Sequence, residues 1–257
     1  MDIIVNYLTK NNCYIKGDSL KPKGIMVHST ACPGVMHQNF LASWNVPKPN
    51  NVSVCVHGFL DDTGFYQTLP WNMKGWHAGG RANSELVGFE ICEPKNYADK
   101  VYFENVKHKA IELCVFLCQK FNLSADSITT HCEGYKKYGS SYASNHGDIH
   151  HWWKVYHNYT ISDFRNDVRN ELKRLKEIEA DENMLQEYID KYGEDIVRAG
   201  LTKIFETEKN KNHPSPWAET ELREAMEAGI TDGSRPQDVA TRQEVAIMVK
   251  RGAKNKK

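Results

Sequence analysis

This chain lacks the features that would settle its class at once. Its seven cysteines are odd in number, irregularly spaced and contain no CxxC pair, which argues against a disulfide framework and against a four-cysteine zinc site. No window approaches 18 apolar residues, so no membrane-inserted helix is expected. Neither charge is in excess: 33 Lys and Arg balance 33 Asp and Glu over 257 residues, which argues against affinity for nucleic acid through bulk charge. The opening residues MDIIVNYLTKNN lack a basic segment followed by a long apolar one, so no signal peptide is expected. The expectation is synthesis and folding in the cytoplasm with reduced thiols. What is present is unevenly placed. Ten of the eleven histidines lie between His28 and His157, and every cysteine lies between Cys13 and Cys132. Metal chemistry, if there is any, belongs to the first two thirds.

The hydrophobic share of 40% can fill a core. Strands are expected at Gly24–His28 (GIMVH), at Val52–Leu60 with Phe65–Leu69 as its hairpin partner across Asp61–Gly64, and at Val87–Cys92. Val106, Ala110, Cys114, Leu117, Cys118 and Phe121 mark one face of a helix over Asn105–Asn122, with the two cysteines as buried apolar residues. Thr160-Ile-Ser-Asp163 has the form of a capping box opening a further helix. Strands separated by helices, with one hairpin, predict an α/β fold with a mixed central sheet flanked by helices. The charged stretch Lys173–Asn183 is expected to end a helix and lead into a linker. It separates a domain of residues 1–175 from a small α-helical C-terminal domain of residues 183–257, with helices after Met184, at Glu219–Ala228 (stopped by Gly229) and at Thr241–Arg251.

Three segments suggest a metal site. His28 ends an apolar strand, where α/β sheets commonly build their sites. His131 follows Thr129-Thr130, and His146-Gly-Asp148 lies further on. Catalytic zinc takes three protein ligands and leaves one position open. His28, His131 and either Asp148 or His146 would supply that set. Glu90 interrupts the apolar strand GFEIC, an expensive place for a carboxylate unless it faces a site.

The motifs Met26-Val-His28-Ser-Thr30, His57-Gly-Phe-Leu-Asp61-Asp-Thr-Gly64-Phe-Tyr-Gln67, Trp76-His77-Ala-Gly79, Val87-Gly-Phe-Glu90-Ile and Thr129-Thr-His131 occur in that order. Over about residues 1–170 they resemble the zinc-dependent N-acetylmuramoyl-L-alanine amidases, a family that includes phage endolysins and peptidoglycan recognition proteins. The resemblance implies Zn2+ on His28, His131 and a third ligand. Aligned on the family's Lys-x-Asp step, that ligand is Asp148 and His146 takes the lysine place; the competing alignment puts His146 on the metal. The family's Pro-Gly is missing after Asp148. The resemblance further implies Glu90 as general base, His146 as oxyanion or proton donor, and Trp76, His77 and His57 as substrate-binding residues, with His57 equally open to a structural role in the hairpin. The family's alternative catalytic tyrosine falls on Val56, which strengthens the case for Glu90. Cys132 is rejected as a ligand because an extended segment would point it away from His131. His150 and His151 are expected to be packing or surface residues.

The segment from Trp217 to Met248 resembles one S-layer homology-type repeat, which implies attachment to a secondary cell-wall polymer. A single copy would have to pair with the preceding helix or with a second chain, as a homodimer. The expected function is hydrolysis of the muramic acid–L-alanine amide of peptidoglycan by a phage or prophage endolysin of Gram-positive hosts, acting on the wall after release from the cytoplasm. A cellular autolysin, a non-catalytic peptidoglycan-binding protein and a zinc peptidase are the alternatives.

Overall fold

Strand β1 (Ile3–Val5) leads through helix α1 (Asn12–Lys16) to β2 (Gly24–Ser29) and α2 (His37–Trp44). Then come β3 (Gly58–Leu60), β4 (Phe65–Gln67), β5 (Leu86–Ile91), α3 (Lys100–Phe121), β6 (Ile128–Thr129), α4 (His131–Tyr138), α5 (Trp153–His157) and α6 (Ile161–Tyr192). The computed structural model describes residues 3–46, 53–209 and 219–230. Its contacts divide the chain into Met1–Glu177 and Ile178–Lys257.

The six strands form one sheet in the order β1-β4-β3-β5-β2-β6. Only the β3–β4 hairpin is antiparallel; the other pairs are parallel. The mixed α/β sheet is therefore as expected. Two strands escaped the sequence reading because β1 and β6 have only three and two residues, too few to show a period. The expected strand over Val52–Leu60 is shorter, and residues 47–52 lie outside the described ones. Cys55 leaves the sheet to exchange backbone hydrogen bonds with Trp76 at 3.0 and 2.9 Å, so regular pairing starts at Gly58.

The period of two along a strand sorts β2 and β5 by face. Ile25, Val27, Val87, Phe89 and Ile91 enter the main core, together with Val106, Ala110, Leu113, Cys114 and Leu117 of α3 and Phe164 and Val168 of α6. Each of the Val, Leu, Ile and Phe side chains contributes about 1.5–3 kcal/mol by burial. The opposite face carries Met26, His28, Gly88 and Glu90. Helix α3 begins at Lys100, capped by the Asp99 carboxylate accepting the Tyr102 N–H. Thr160 and Asp163 do form the reciprocal capping box of α6, with the Thr160 N–H donating to Asp163 at 2.8 Å and the Asp163 N–H to Thr160 Oγ1 at 3.2 Å.

The stretch Lys173–Asn183 corrects the expectation of a linker, because α6 continues through it to Tyr192. Its Lys, Arg, Leu, Glu and Ala are strong helix formers. Ion pairs such as Lys173–Glu177 and Arg174–Glu171 follow the helical spacing. Gly193, at φ +86°, separates α6 from α7 (Glu194–Lys209). In the second unit α8 (Glu219–Glu227) ends as expected: Gly229 takes φ +67°, and the Ile230 N–H donates to the Ala225 carbonyl at 2.9 Å. The helix expected at Thr241–Arg251 lies outside the described residues. No helix among the described residues is long and apolar enough to cross a membrane.

Candidate active site

β2, β5 and β6 run parallel, so their carboxyl ends lie on one edge of the sheet. His28 stands near the end of β2, directly across from Glu90 of β5 in the strand register. His131 follows β6 by two residues and starts α4, with Thr130 as the N-cap. Asp148 opens a 3₁₀ turn over Asp148–His151. Glu90, His131 and Asp148 line a cleft of about 450 Å³ together with Trp76, His77, His146 and His151, and His28 is buried in contact with His131 and His77.

His28, His131 and Asp148 are buried, and one ligand atom from each lies within 4.8 Å of the others. His28 Nδ1 is 3.0 Å from His131 Nδ1, and Asp148 Oδ1 is 2.9 Å from His131 Nδ1 and 3.5 Å from His28 Nδ1. The outer hydrogen bonds set the tautomers. His77 Nε2–H donates to the Leu86 carbonyl at 3.2 Å, so its Nδ1 accepts from His28 Nε2–H at 2.9 Å. His131 Nε2–H donates to the His77 carbonyl at 3.0 Å. Both histidines therefore turn an Nδ1 lone pair inward, toward a carboxylate oxygen. Three acceptors facing one point repel one another unless a cation sits among them. Tetrahedral zinc with bonds of about 2.0–2.1 Å needs ligand atoms roughly 3.3 Å apart, which these separations approach. The donor set fits a metal ion.

The Asp148 carboxylate is aimed by its backbone. Asp148 adopts φ +45°, a conformation that L residues seldom take. Its Oδ2 accepts the His131 N–H at the start of α4, leaving Oδ1 to face the histidines. Burial alone would raise its pKa, but the adjoining imidazoles of His131 and His28 outweigh burial and hold the carboxyl well below the usual range. Burial depresses the pKa of His28, partly offset by Asp148. Burial also pushes His77 well down, reinforced by His28 and His57. Glu90 is pushed well up by burial and then by the neighbouring carboxylates of Asp148 and Glu93. Its Oε2 is buried and has no hydrogen-bond partner.

The structure thus brings together His28, His131, Asp148, Glu90, His146, Trp76 and His77. His146 is exposed, with its ring centroid 4.9 Å from that of His131. His57 corrects the assignment to substrate binding. It is fully buried; Nε2–H donates to the Met73 carbonyl at 2.9 Å and Nδ1 accepts the Gly88 N–H at 3.1 Å. Neither nitrogen is left for a substrate, and burial lowers its pKa to about 4. The extended segment expected through His131 is also corrected, because the strand ends at Thr129. Cys132 lies on the first turn of α4, with Sγ 3.4 Å from Thr130 Oγ1, so it is excluded from the metal group by the helix rather than by strand alternation. Sequence reasoning missed three roles. His77 fixes the tautomer of His28, Glu93 is fully buried beside the site, and His151, at the surface as expected, also lines the cleft. The one available signal was a second glutamate, three residues after Glu90, in an apolar stretch.

Known proteins resemble this chain in family and in fold. The family profile described as N-acetylmuramoyl-L-alanine amidase matches residues 18–151, just over half of the chain. The N-acetylmuramoyl-L-alanine amidase CwlA of a Bacillus species is 26% identical over 141 residues, 52% of this chain and 53% of CwlA. Endolysin 2638A of Staphylococcus phage 2638A is 25% identical over 150 residues, 53% of this chain and 30% of the endolysin. The chain therefore spans about half the length of CwlA and less of the endolysin. Among solved structures, the Staphylococcus aureus hydrolase AmiA, determined in complex with its ligand, aligns with a TM-score of 0.57 at 19% identity. That alignment covers 67% of this chain and 83% of AmiA, and it shows the shared fold.

Proposed function

The chain belongs to the N-acetylmuramoyl-L-alanine amidase family, and on that premise we propose that it is a zinc hydrolase cleaving the amide between N-acetylmuramic acid and L-alanine in peptidoglycan. The observation that carries this reading is the convergence of two histidine lone pairs and one carboxylate oxygen beside a buried, unpartnered glutamate oxygen.

His28, His131 and Asp148 would hold the ion. Zinc supplies a Lewis acid for the scissile carbonyl and brings the pKa of water toward neutrality. The Glu90 carboxylate, which lines the cleft and has one oxygen without a partner, takes the proton of the attacking water and passes it to the leaving amine of L-alanine. Its raised pKa suits that exchange, because a carboxyl that holds a proton more tightly is the better base. His146, beside His131 on the exposed rim, donates a hydrogen bond to the carbonyl oxygen as charge develops there. Trp76 offers an aromatic wall for the sugar or the stem peptide.

The similarity to Endolysin 2638A supports a phage or prophage endolysin. In that role the protein would be made in the host cytoplasm and reach the wall through a lesion opened by another protein. The tail from Trp217 to Met248, with its likeness to an S-layer homology-type repeat, would attach the enzyme to a secondary wall polymer. Digestion of purified Gram-positive wall tests the reaction. New N-terminal L-alanine should appear, disappear with chelator, and return with zinc. Any other new N-terminus, or release that persists in chelator, would sink this reading.

A further inference from the structure

Glu93 lies just beyond β5, and its side chain is completely buried. An isolated carboxylate is seldom tolerated there, so its partners carry information. Oε1 accepts from Ser29 Oγ at 2.5 Å and from the Ala31 N–H at 3.0 Å, and His151 Nε2 lies 3.1 Å away. Oε2 accepts from the Tyr97 hydroxyl at 2.7 Å. These partners belong to two separate segments. Ser29 and Ala31 follow His28 directly, whereas His151 closes the turn that Asp148 opens, and its Nδ1–H donates to the Asp148 carbonyl at 2.6 Å. Trp152 adds a second tie, with Nε1–H donating to Ser29 Oγ at 3.0 Å.

Backbone geometry singles out the same two segments. Four non-glycine residues among the described ones have positive φ. Asn122 and Asn158 are helix C-caps, an ordinary place for asparagine in this conformation. The other two are Ala31 at +51° and Asp148 at +45°. Ala31 sends its N–H to Glu93, and Asp148 receives its hydrogen bond from the histidine that Glu93 faces. Unfavourable backbone conformations persist where surrounding contacts over-determine them. Here both are tied, on either side, to one buried carboxylate.

We infer that Glu93, acting through His151, is a positioning residue that fixes the His28 segment against the Asp148 turn and so sets the separation of two metal ligands. This rests on the zinc reading above. Neither side chain belongs to the ligand set, and partners at this remove typically change metal affinity about 10–100-fold when mutated.

The test uses the full chain, with zinc affinity measured by competition against a chromophoric chelator and folding of the metal-free protein followed by circular dichroism. Glu93→Gln and His151→Phe should each weaken zinc binding about 10–100-fold, and the double variant should be little worse than either alone, because both break one linkage. A structural role alone would lower the metal-free thermal midpoint and leave zinc affinity unchanged; that result overturns the inference. Should Glu93→Gln not fold, His151→Phe carries the test, since that side chain is 39% exposed and its loss opens no core. If the unaltered chain binds no zinc, the zinc reading fails and the inference with it. If the unaltered chain and both variants bind it equally, only the inference fails.

Discussion

Gly88→Ala is the most informative single substitution in the sheet. A Cβ at this position would lie 2.4, 2.5 and 2.7 Å from three ring atoms of His77, whereas carbon contacts prefer about 3.5–4.0 Å. The imidazole would have to retreat by about 1 Å. Its bond to His28, now 2.9 Å, would then stretch past the length at which a hydrogen bond survives. Overpacking costs about 1–3 kcal/mol and the lost bond about 1 kcal/mol. Replacing glycine returns about 0.5–1 kcal/mol by restricting the unfolded chain. The net expectation is a loss of about 1–3 kcal/mol in the metal-free protein. His28 would also lose the group that fixes its tautomer, so zinc affinity should fall about 10–100-fold. Urea unfolding in chelator and zinc competition measure the two effects. The decisive control is His77→Ala: in that background the added methyl meets no ring, and Gly88→Ala should cost less than about 0.5 kcal/mol. An equal cost in both backgrounds would refute the reasoning, because the penalty would then come from the strand and not from His77.

Three further outcomes are expected. Asp148→Asn should lose most bound zinc while His146→Ala retains it; zinc content that falls only in His146→Ala would assign the third ligand to His146. Glu90→Gln should keep its metal, since it is absent from the ligand group, yet lose about 10²–10⁴-fold in wall hydrolysis; near-normal turnover would remove it as the general base. His57 should make the fold acid-sensitive. Its pKa is about 4 in the folded chain against about 6.5 unfolded, so below pH ~6.5 the unfolded chain gains a proton that the native one refuses. Stability should therefore be complete above that value and fall by up to roughly 3 kcal/mol on approach to pH 4. The slope of unfolding free energy between these limits should flatten in His57→Gln, and an unchanged slope would assign the acid sensitivity to other groups.

What could be understood before folding was whatever chemistry is local. The apolar run before His28 marks a strand ending in a candidate ligand, and Glu90 inside GFEIC marks a carboxylate with a reason to be there. Thr160-Ile-Ser-Asp163 specifies its own helix start, because its hydrogen bonds span only three residues. Helix α6 shows the opposite failure: the charged run Lys173–Asn183 resembled a linker by composition, but its spacing pairs charges along one continuous helix.

Everything that turned a set of candidate residues into a site came from contacts across long stretches of chain. His146 and Asp148 could not be separated by spacing. In the structure a left-handed Asp148 turns one carboxylate oxygen to the two histidines while the other caps the helix that His131 begins, whereas His146 is exposed. His57 and His77 carry the same imidazole, but one is closed off by two backbone partners while the other orients His28. Glu93 became meaningful only when β5, the loop after β2 and the Asp148 turn came together around it. The sequence by itself determined which groups the site could use. Only the tertiary structure decided which nitrogen and which oxygen each would present, because tautomer, carboxylate direction and burial are set by partners that lie tens of residues away.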